Sequence, residues 1–321
     1  MIGLISKTQD PAYNLATEEL LLKHKSEDYL FLYVDSPSII VGKHQNTYSE
    51  INFSNVHNSK IPVFRRLSGG GTVYHDKGNL NFCFITSGKP GKLIDFEGFT
   101  KHVIAALKNM NVNAYFGGRN DLLINGKKIS GNASHVFKNR VMHHGTLLFS
   151  SDLTLLGNTL KTDPTKYQDK AVKSVRSVVT NISDYTNSDL SFNQFKSEVF
   201  HQIISNDVNE YELNKNDIES IQSLIETKYS LWEWNYGYSP DYTFSKRFKI
   251  DRLILNIAFK VHKGVISEVK INASQSADLV KKIFLKLENE QHEYKSILNR
   301  LGDDLNSHFN VNPDEIIIQL F

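Results

Sequence analysis

The dipeptide Asn125-Gly126 is the feature of this sequence that most limits how the chain can fold. It stands between the strand-like runs DLLI and KKIS, and Asn-Gly in that setting is the strongest short-range signal for a two-residue β-hairpin turn. The sequence therefore predicts an antiparallel hairpin here. A two-residue turn fixes the pairing of its strands: Ile124 with Lys127, Leu123 with Lys128, and Asp121 with Ser130.

Strand alternation assigns the polar side chains of this hairpin to faces. Lys127 lies on one face, and the other face holds Asp121, Leu123, Lys128 and Ser130. Asp121 and Lys128 become diagonal neighbours roughly 7–8 Å apart, a gap that suits a shared ligand or a metal-bound phosphate better than a direct salt bridge. A lysine pair that caps a solvated hairpin explains the same residues equally well, and spacing alone does not choose between the two.

The remainder of the first half alternates short strands with helices. Asp10 is a candidate N-cap, with Pro11 as the first helical residue. The run YLFLYVDSPSIIVG is typical of two strands split by the Ser36-Pro37 turn. The pattern predicts an α+β fold with a mixed, mostly antiparallel sheet and helices.

The tail after about residue 246 has a pattern of its own. It contains a hairpin with Lys263-Gly264 near the turn, two amphipathic helices and the strand-like ending EIIIQLF. We therefore predict two domains, a catalytic domain over residues 1–245 and a small α/β accessory domain over residues 246–321.

Composition excludes several classes of protein. Of 321 residues, 40% are hydrophobic, and 37 basic residues against 35 acidic ones leave a formal charge of +2, too balanced to indicate a nucleic-acid partner. The single cysteine, Cys83, excludes an intrachain disulfide framework and a cysteine-built metal site. No apolar run is long enough to span a bilayer, and the amino terminus lacks a leader pattern, so we expect a cytoplasmic protein with no membrane partner.

Three consecutive glycines, residues 69–71, follow Ser68 in the run RRLSGGGTVYHDKGN. Without side chains, a ligand can lie against the main chain and N–H groups can point at an anion. Arg65 and Arg66 could pair with a phosphate or carboxylate. A flexible connection with two surface arginines is the competing interpretation, and the flanking strands and charges favour a binding loop.

Other polar residues are individually weaker candidates. His75, Asp76 and Asn79 follow the glycines, where the last two suit a turn. His143 and His144 fall on opposite faces of one strand, so at most one can share a site with a given ligand. Cys83 alternates with Phe82 and Phe84 and shares a face with two asparagines; this favours a buried inert thiol and leaves a reactive role open.

Taken together, these motifs resemble those of the lipoate–protein ligases. RRLSGGGTVYHDKGNLNF is similar to that family's nucleotide and lipoate loop, NDLLINGKKISGNAS to its lysine motif, and HHGTLL to the strand that follows. VKSVRSVVTNI and LWEWNYGYSPDYTF resemble later segments. Ordered motifs at matching spacing over nearly the whole chain are far more specific than one glycine loop.

The resemblance implies a fold akin to the biotin–protein ligase catalytic domain, followed by an accessory domain. It implies ATP-dependent activation of lipoate, or octanoate, with Mg²⁺ as a cofactor and lipoyl-AMP as the intermediate. The implied acceptors are lipoyl domains, as in 2-oxoacid dehydrogenase E2 subunits, or the glycine cleavage H protein.

The resemblance also implies roles for individual residues. Lys128 would be the catalytic residue, an electrostatic stabiliser that contacts the lipoyl carbonyl and the adenylate phosphate. Asp121 would help to hold magnesium. ATP and lipoyl-AMP would lie against Arg66, Gly71, Thr72, Val73, Tyr74, His75, Asn79 and Lys128, with Asn79 near adenine. Lipoate would lie against Arg66, Gly70, Lys128 and, at its lipoyl end, His144.

Three other activities compete with this interpretation. Octanoyl and lipoyl transferases use a cysteine thioester and no ATP, but their cysteine lies near or beyond the lysine motif, where this chain has none. A non-catalytic binder of lipoyl domains is disfavoured because Arg66, the glycines, Asp121 and Lys128 are all present. Biotin ligase fits the lysine motif and the aromatic segment less well.

Overall fold

The computed structural model describes residues 1–88, 93–160, 162–186, 190–204, 210–273, 278–309 and 311–321. The strands in these ranges are β1 (Ile2–Ile5), β2 (Tyr29–Tyr33), β3 (Ser38–Val41), β4 (Val63–Arg65), β5 (Val73–His75), β6 (Asn79–Ser87), β7 (Tyr115–Phe116), β8 (Asp121–Ile124), β9 (Lys127–Phe137), β10 (Arg140–Leu148), β11 (Tyr167–Asp169), β12 (Tyr242–Ile250), β13 (Leu253–His262) and β14 (Val265–Ala273). The helices are α1 (Pro11–His24), α2 (Thr47–Glu50), α3 (Phe53–Asn58), α4 (Phe96–Asn109), α5 (Leu153–Thr159), α6 (Phe192–Ile203), α7 (Lys215–Leu224), α8 (Asp278–Phe284), α9 (Tyr294–Phe309) and α10 (Pro313–Ile317). None of these helices combines the length and the apolar character needed to cross a membrane.

The described residues form two compact units, each built from three separate segments. The first unit comprises Met1–Lys43, Pro62–Gly157 and Ser174–Leu231. The second comprises His44–Ile61, Asn158–Lys173 and Trp232–Phe321. The long segment of the second unit thus begins before residue 246 and is joined by two earlier segments. The division into a catalytic domain, 1–245, and an accessory domain, 246–321, stays a prediction about function.

The first unit is built on a sheet in the order β1-β2-β6-β10-β9-β8-β7. Its strand pairs are antiparallel except for the parallel pair β1–β2. A smaller sheet in the order β4-β3-β5 pairs β3 parallel with β4 and antiparallel with β5. The predicted α+β class with mostly antiparallel pairing is confirmed.

The two faces of the larger sheet differ in character. Leu80, Phe82 and Phe84 of β6 belong to the hydrophobic core, together with residues of α4 and α6. The alternating residues Asn79, Asn81 and Cys83 point away from this core, and all three are buried. The sheet therefore has an apolar face and a buried polar face, and the sequence-predicted site residues on β6 lie on the polar one.

Helix α1 carries acidic residues against the buried polar face. It begins as predicted: the side chain of Asp10 accepts a hydrogen bond from the N–H of Ala12, and Pro11 occupies the first turn. Glu18 and Glu19 are buried in its middle, and both are paired with other polar groups. A buried carboxylate needs such partners because it has given up its hydration.

The second unit contains an antiparallel sheet in the order β11-β12-β13-β14. The predicted hairpin turn is confirmed, with φ of 48° at Lys263 and 79° at Gly264. The predicted strand over EIIIQLF is wrong, because α10 and a 3₁₀ turn occupy that run. The side chain of Asn312 caps α10 ahead of Pro313, and this local signal outweighs the weak, context-dependent strand preference of the isoleucines.

Candidate active site

The glycine loop joins β4 to β5, and the side chain of Arg66 holds it by hydrogen bonds to its main chain. The guanidinium Nη2 of Arg66 donates to the carbonyls of Gly69 at 2.6 Å and Gly71 at 2.7 Å. Gly70, between them, has φ of +84°, which side-chain-bearing residues rarely adopt. A Cβ at Gly70 would lie 3.2 Å from Nη2 of Arg66. The backbone conformation therefore favours glycine at this position, and the space left by Arg66 is tight for any larger residue.

Both arginines of this motif are buried, contrary to the surface location considered above. Arg65 donates through Nη1 to the carbonyls of Gly42 and Lys43. Arg66 also donates through Nε to Ser68 Oγ and through Nη1 to the carbonyl of Ile40. Burial lowers the pKa of Arg66 to about 10, and the negative charge of Glu18 opposes that shift. Arg66 thus fixes the loop through its own main-chain carbonyls and leaves a positive charge directly beneath it.

A chain of buried hydrogen bonds continues from Ser68 to α1. Ser68 Oγ lies 2.6 Å from Nε2 of His144, whose Nδ1 lies 2.9 and 3.0 Å from the two carboxylate oxygens of Glu18. Tyr33 donates to the same carboxylate at 3.0 Å. His144 is therefore linked to the glycine loop through Ser68, and its predicted place at the lipoyl end of the substrate stays a prediction. Glu18 was not among the sequence candidates; its place in an otherwise apolar helical run was the available signal.

Cys83 lies opposite His144 in the β6–β10 pairing and is fully buried. Burial raises the pKa of its thiol well above the ordinary value, and the charge of Glu18 raises it further. The thiolate is the reactive form of cysteine, so this environment disfavours nucleophilic chemistry. One ligand atom each from Glu18, Cys83 and His144 lie within 4.8 Å of one another, but Glu18 and His144 already satisfy each other by hydrogen bonding.

His143 faces the opposite side of β10, as the alternation predicts. Its ring stacks on Phe99 at 5.0 Å between centroids, and its Nδ1 lies 3.0 Å from Ser134 Oγ. Burial lowers the pKa of His143 to about 3. His143 is therefore a neutral core residue and lies apart from the polar face.

His75 is oriented by a second buried acid. Its Nδ1 lies 2.7 Å from Asp35, which also accepts from the side-chain amide of Asn14 at 2.8 Å. The Nε2 atom of His75 is buried and has no hydrogen-bond partner among the described residues. Sequence reasoning missed Asp35 and Asn14, which come from a loop and a helix far from His75 in the chain.

Asn79 opens β6 after a turn in which Asp76 accepts from the N–H groups of Gly78 and Asp152. The side-chain amide of Asn79 donates to Asn81 at 2.8 Å. This leaves Oδ1 of Asn79 and Nδ2 of Asn81 buried without partners in the described part of the chain. An unpaired buried polar atom typically costs about 1–3 kcal/mol, so these atoms mark a place where a ligand or water would be accommodated.

The β8–β9 hairpin has the predicted turn and a different register beyond it. Asn125 and Gly126 have φ of 49° and 76°, as a two-residue turn of this kind requires. Ile124 pairs with Lys127 and Leu123 with Lys128, but a bulge then shifts the ladder so that Asp121 pairs with Gly131, not with Ser130. The predicted Asp121–Ser130 pair is wrong because one extra residue of β9 is inserted before Ser130.

The bulge brings Asp121 and Lys128 into direct contact. Nζ of Lys128 lies 2.7 Å from Oδ1 of Asp121, with about a quarter of each side chain exposed. The expectation of a gap without a salt bridge is therefore wrong for this state. A Cβ at Gly131 would lie 3.1 Å from Lys128 Nζ, so the lysine side chain runs over a second glycine.

One segment, residues 174–180, contacts both motifs. Ser174 Oγ accepts from the N–H of Thr72 at 2.8 Å, and a Cβ at Gly71 would lie 2.9 Å from the same oxygen. Further along, the N–H of Lys128 donates to Val178, and the N–H of Thr180 donates to the carbonyl of Lys128. This segment corresponds to the run VKSVRSVVTNI, and it links the glycine loop to the lysine strand.

The predicted nucleotide-binding residues Thr72, Val73 and Tyr74 lie where the loop enters β5. Thr72 and Tyr74 are buried, and Val73 is partly exposed. Burial, and then the charge of Asp76, raise the pKa of Tyr74 to about 12, so its hydroxyl stays protonated near neutral pH.

Comparison with known proteins identifies the class. Residues 10–204 match the family described as the lipoyl protein ligase A/B catalytic domain, and the chain belongs to this family. It is 44% identical over 265 residues to lipoate–protein ligase 1 of Staphylococcus aureus, an alignment that covers 82% of this chain and 81% of that relative. The resemblance found in the motifs is confirmed.

Solved structures agree on the fold. P. falciparum LipL1 in complex with lipoate superposes with a TM-score of 0.63 at 25% identity and covers 98% of this chain and 96% of that one. A lipoate–protein ligase A bound with ATP gives a TM-score of 0.62 at 24% identity over 74% of this chain and 100% of that one.

Proposed function

We propose that this protein is an ATP-dependent lipoate–protein ligase that activates lipoate as lipoyl-AMP and transfers the lipoyl group to a lysine of an acceptor protein. The observation that carries the proposal is the pair of contacts from residues 174–180 to Thr72 and to Lys128. These contacts connect the glycine loop, whose main chain is suited to binding an anion, with Lys128 on the same polar surface. Membership of the lipoyl ligase family supports the same activity.

In the first half-reaction, a carboxylate oxygen of lipoate attacks the α-phosphorus of ATP and pyrophosphate leaves. Two negative groups must approach each other, so the barrier falls when fixed positive charge lies beside both. Lys128 supplies this charge from a position whose main-chain N–H and carbonyl are both hydrogen-bonded to residues 174–180. Arg66 contributes a second positive charge beneath the loop while holding its shape.

Magnesium fits one part of this surface. Mg²⁺ in nucleotide sites is commonly held by one or two carboxylates plus the substrate phosphates, and Asp121 offers one partly exposed carboxylate beside Lys128. We propose that Asp121 holds the ion, which when bound would neutralise phosphate charge. Without it, Asp121 neutralises Lys128 instead.

His75 and Asn79 are proposed to line the adenylate, with Asn79 near adenine. The unpaired Nε2 of His75 and Oδ1 of Asn79 support this, because a ligand would satisfy groups that are otherwise buried at a cost. Gly70 to Tyr74 would lie along the acyl-adenylate, and His144 would border the lipoyl end.

In the second half-reaction, the neutral amine of an acceptor lysine attacks the acyl carbon of lipoyl-AMP, AMP leaves, and the amine loses a proton. We propose lipoyl domains of 2-oxoacid dehydrogenase E2 subunits and the glycine cleavage H protein as acceptors, with octanoate as an alternative acyl substrate. We also propose that residues 246–321 act as an accessory domain and that the protein works in the cytoplasm.

Exchange of labelled pyrophosphate into ATP, with and without lipoate, tests the activation step. Lipoate-dependent exchange is the expected result, and its absence in a folded protein that transfers an acyl group without ATP would select the transferase activity instead. The high thiol pKa and complete burial of Cys83 favour the ligase over that alternative.

A further inference from the structure

The outer face of the second unit's sheet carries an unusual concentration of positive charge. A concavity of about 490 Å³ lies here, within the roughly 300–1,000 Å³ typical of small-molecule sites. We call it the basic groove. It is lined by Asp163, Thr165, Lys166, Ser245, Lys246, Arg247, Asn256, Ile257, Ala258, Lys270 and Asn272.

The strand register explains the shape of the basic groove. Ser245 on β12 pairs with Ala258 on β13, which pairs with Lys270 on β14. The next row of the same face runs from Arg247 through Asn256 to Asn272. Short side chains therefore lie at the centre of this face, with long cationic or amide side chains around them. Alternation points Lys246 to the other face of β12, and it borders the groove where β12 runs beyond its pairing with β11.

The charge of the groove is unbalanced. Lys166, Lys246, Arg247 and Lys270 line the groove with one acidic side chain, Asp163, which accepts from the N–H and hydroxyl of Thr165 and also attracts Lys166 and Lys246 electrostatically. Within the described ranges, none of the four cations forms a salt bridge with an Asp or Glu side chain.

Two of these cations oppose each other directly. Lys246 donates to the side chain of Gln319, and Lys166 donates to the terminal carboxyl oxygen of Phe321. Burial lowers the pKa of Lys246 to about 8, and the neighbouring charge of Lys166 lowers it further. Like charges placed together are unfavourable unless a bound anion lies between them.

We propose that the basic groove binds a small oligo-anion of the phosphate class, such as a polyphosphate or the phosphate chain of a nucleotide. The four cations outnumber the carboxyl groups of Asp163 and Phe321, so the groove keeps an excess of positive charge, and the amides and hydroxyl of Asn256, Asn272 and Ser245 offer hydrogen bonds to phosphate oxygens. A hollow with a floor of small residues suits such a ligand better than the broad surface of a protein. The groove shares no residue with the proposed active site, so this inference does not rest on the ligase activity.

Lysine acylation in the full-length protein tests the site residue by residue. The protein is treated at pH 8 with a limiting amine-acetylating ester, with and without sodium tripolyphosphate, and peptides are quantified by mass spectrometry. A bound anion stabilises the ammonium form of Lys246, and a rise of about one unit in its pKa would slow acetylation about fivefold at this pH. Lys166 and Lys270 should be protected at the same concentration.

Several internal controls separate specific from general binding. Lys260 lies on the same sheet face but is paired with Glu268, so its acetylation should be unchanged. Lys128 reports the proposed active site in the same digest. Arg247→Gln should weaken tripolyphosphate protection of Lys246 about tenfold, as expected for one lost charge-assisted contact, and Lys260→Gln should not weaken it. Thermal melting checks that Arg247→Gln and Lys260→Gln both remain folded.

The proposal is overturned if tripolyphosphate gives no saturable protection, if Lys260 is protected as strongly as Lys246, or if Arg247→Gln leaves protection unchanged. Protection by a hexaglutamate peptide but not by tripolyphosphate would also overturn it, because the groove would then be a docking surface for an acidic chain.

Discussion

Gly70→Ala should damage lipoyl-AMP formation more than it damages stability. Gly70 has φ of +84°, and holding an alanine there costs about 1–2 kcal/mol. For a unit of this size, that loss lowers the melting temperature by about 2–8 °C. The new Cβ, 3.2 Å from Nη2 of Arg66, would also require that nitrogen to shift by a few tenths of an ångström, which weakens its hydrogen bonds to the carbonyls of Gly69 and Gly71.

The contact between the new Cβ and Arg66 is the part of this change that affects activity. A hydrogen bond to a charged group contributes about 1.5–3 kcal/mol, so losing one of these two contacts should slow lipoate-dependent ATP–pyrophosphate exchange by about 10–100-fold. The matched control is Gly118→Ala, since Gly118 has φ of +92° but nothing within 4 Å of its Cβ position. The control should show only the backbone part of the stability loss, about 1–2 kcal/mol, with normal exchange. Normal exchange in Gly70→Ala, or equal loss in both variants, would refute the assigned role of Arg66.

Three further predictions concern single side chains. Lys128→Ala should reduce lipoyl-AMP formation by about 10²–10³-fold, whereas Lys127→Ala, on the exposed face of the hairpin, should be mild; equal losses in the exchange assay would contradict the face assignment. Cys83→Ala should retain acyl transfer from lipoate and ATP, and a folded but inactive variant would return the mechanism to a cysteine thioester. Because the pKa of His143 is lowered, this side chain is protonated below about pH 6.5 in the unfolded chain but only below about pH 3 in the folded chain. Stability should therefore fall with decreasing pH across this window, by up to about 1.4 kcal/mol per unit, and urea melts of His143→Phe should show a shallower slope.

Local signals predicted the turns and the start of the first helix, because their residues act on their own backbone. Asn125-Gly126 set the hairpin turn and Asp10 capped α1 as expected. The bulge that joins Asp121 to Lys128 has no such local signal, since it depends on which β9 residues fit the core. The isoleucines near the carboxyl end were misassigned for the converse reason: a helix cap overrode their strand preference.

The polar side of the candidate site was only partly predictable. The glycine loop and Lys128 were found from their own motifs. Glu18 and Asp35, which orient His144 and His75, come from positions 126 and 40 residues away in the chain, and only the fold shows that they meet. The predicted contact of Arg66 with the ligand stays a prediction, and the sequence did not indicate that Nη2 of Arg66 would bind the loop's own carbonyls, a role that depends on how the loop is curved.

The interleaving of the two units has a consequence for synthesis on the ribosome. The first unit needs residues up to Leu231, and the second needs His44–Ile61, translated early, together with Trp232–Phe321, translated last. Neither unit can therefore be completed while most of the chain is still unsynthesised, in contrast to proteins whose domains finish one after another from the amino terminus. Segment His44–Ile61, with the buried aromatic residues Tyr48 and Phe53, must wait for its partners through most of translation. During that interval these apolar side chains have no folded unit to bury them.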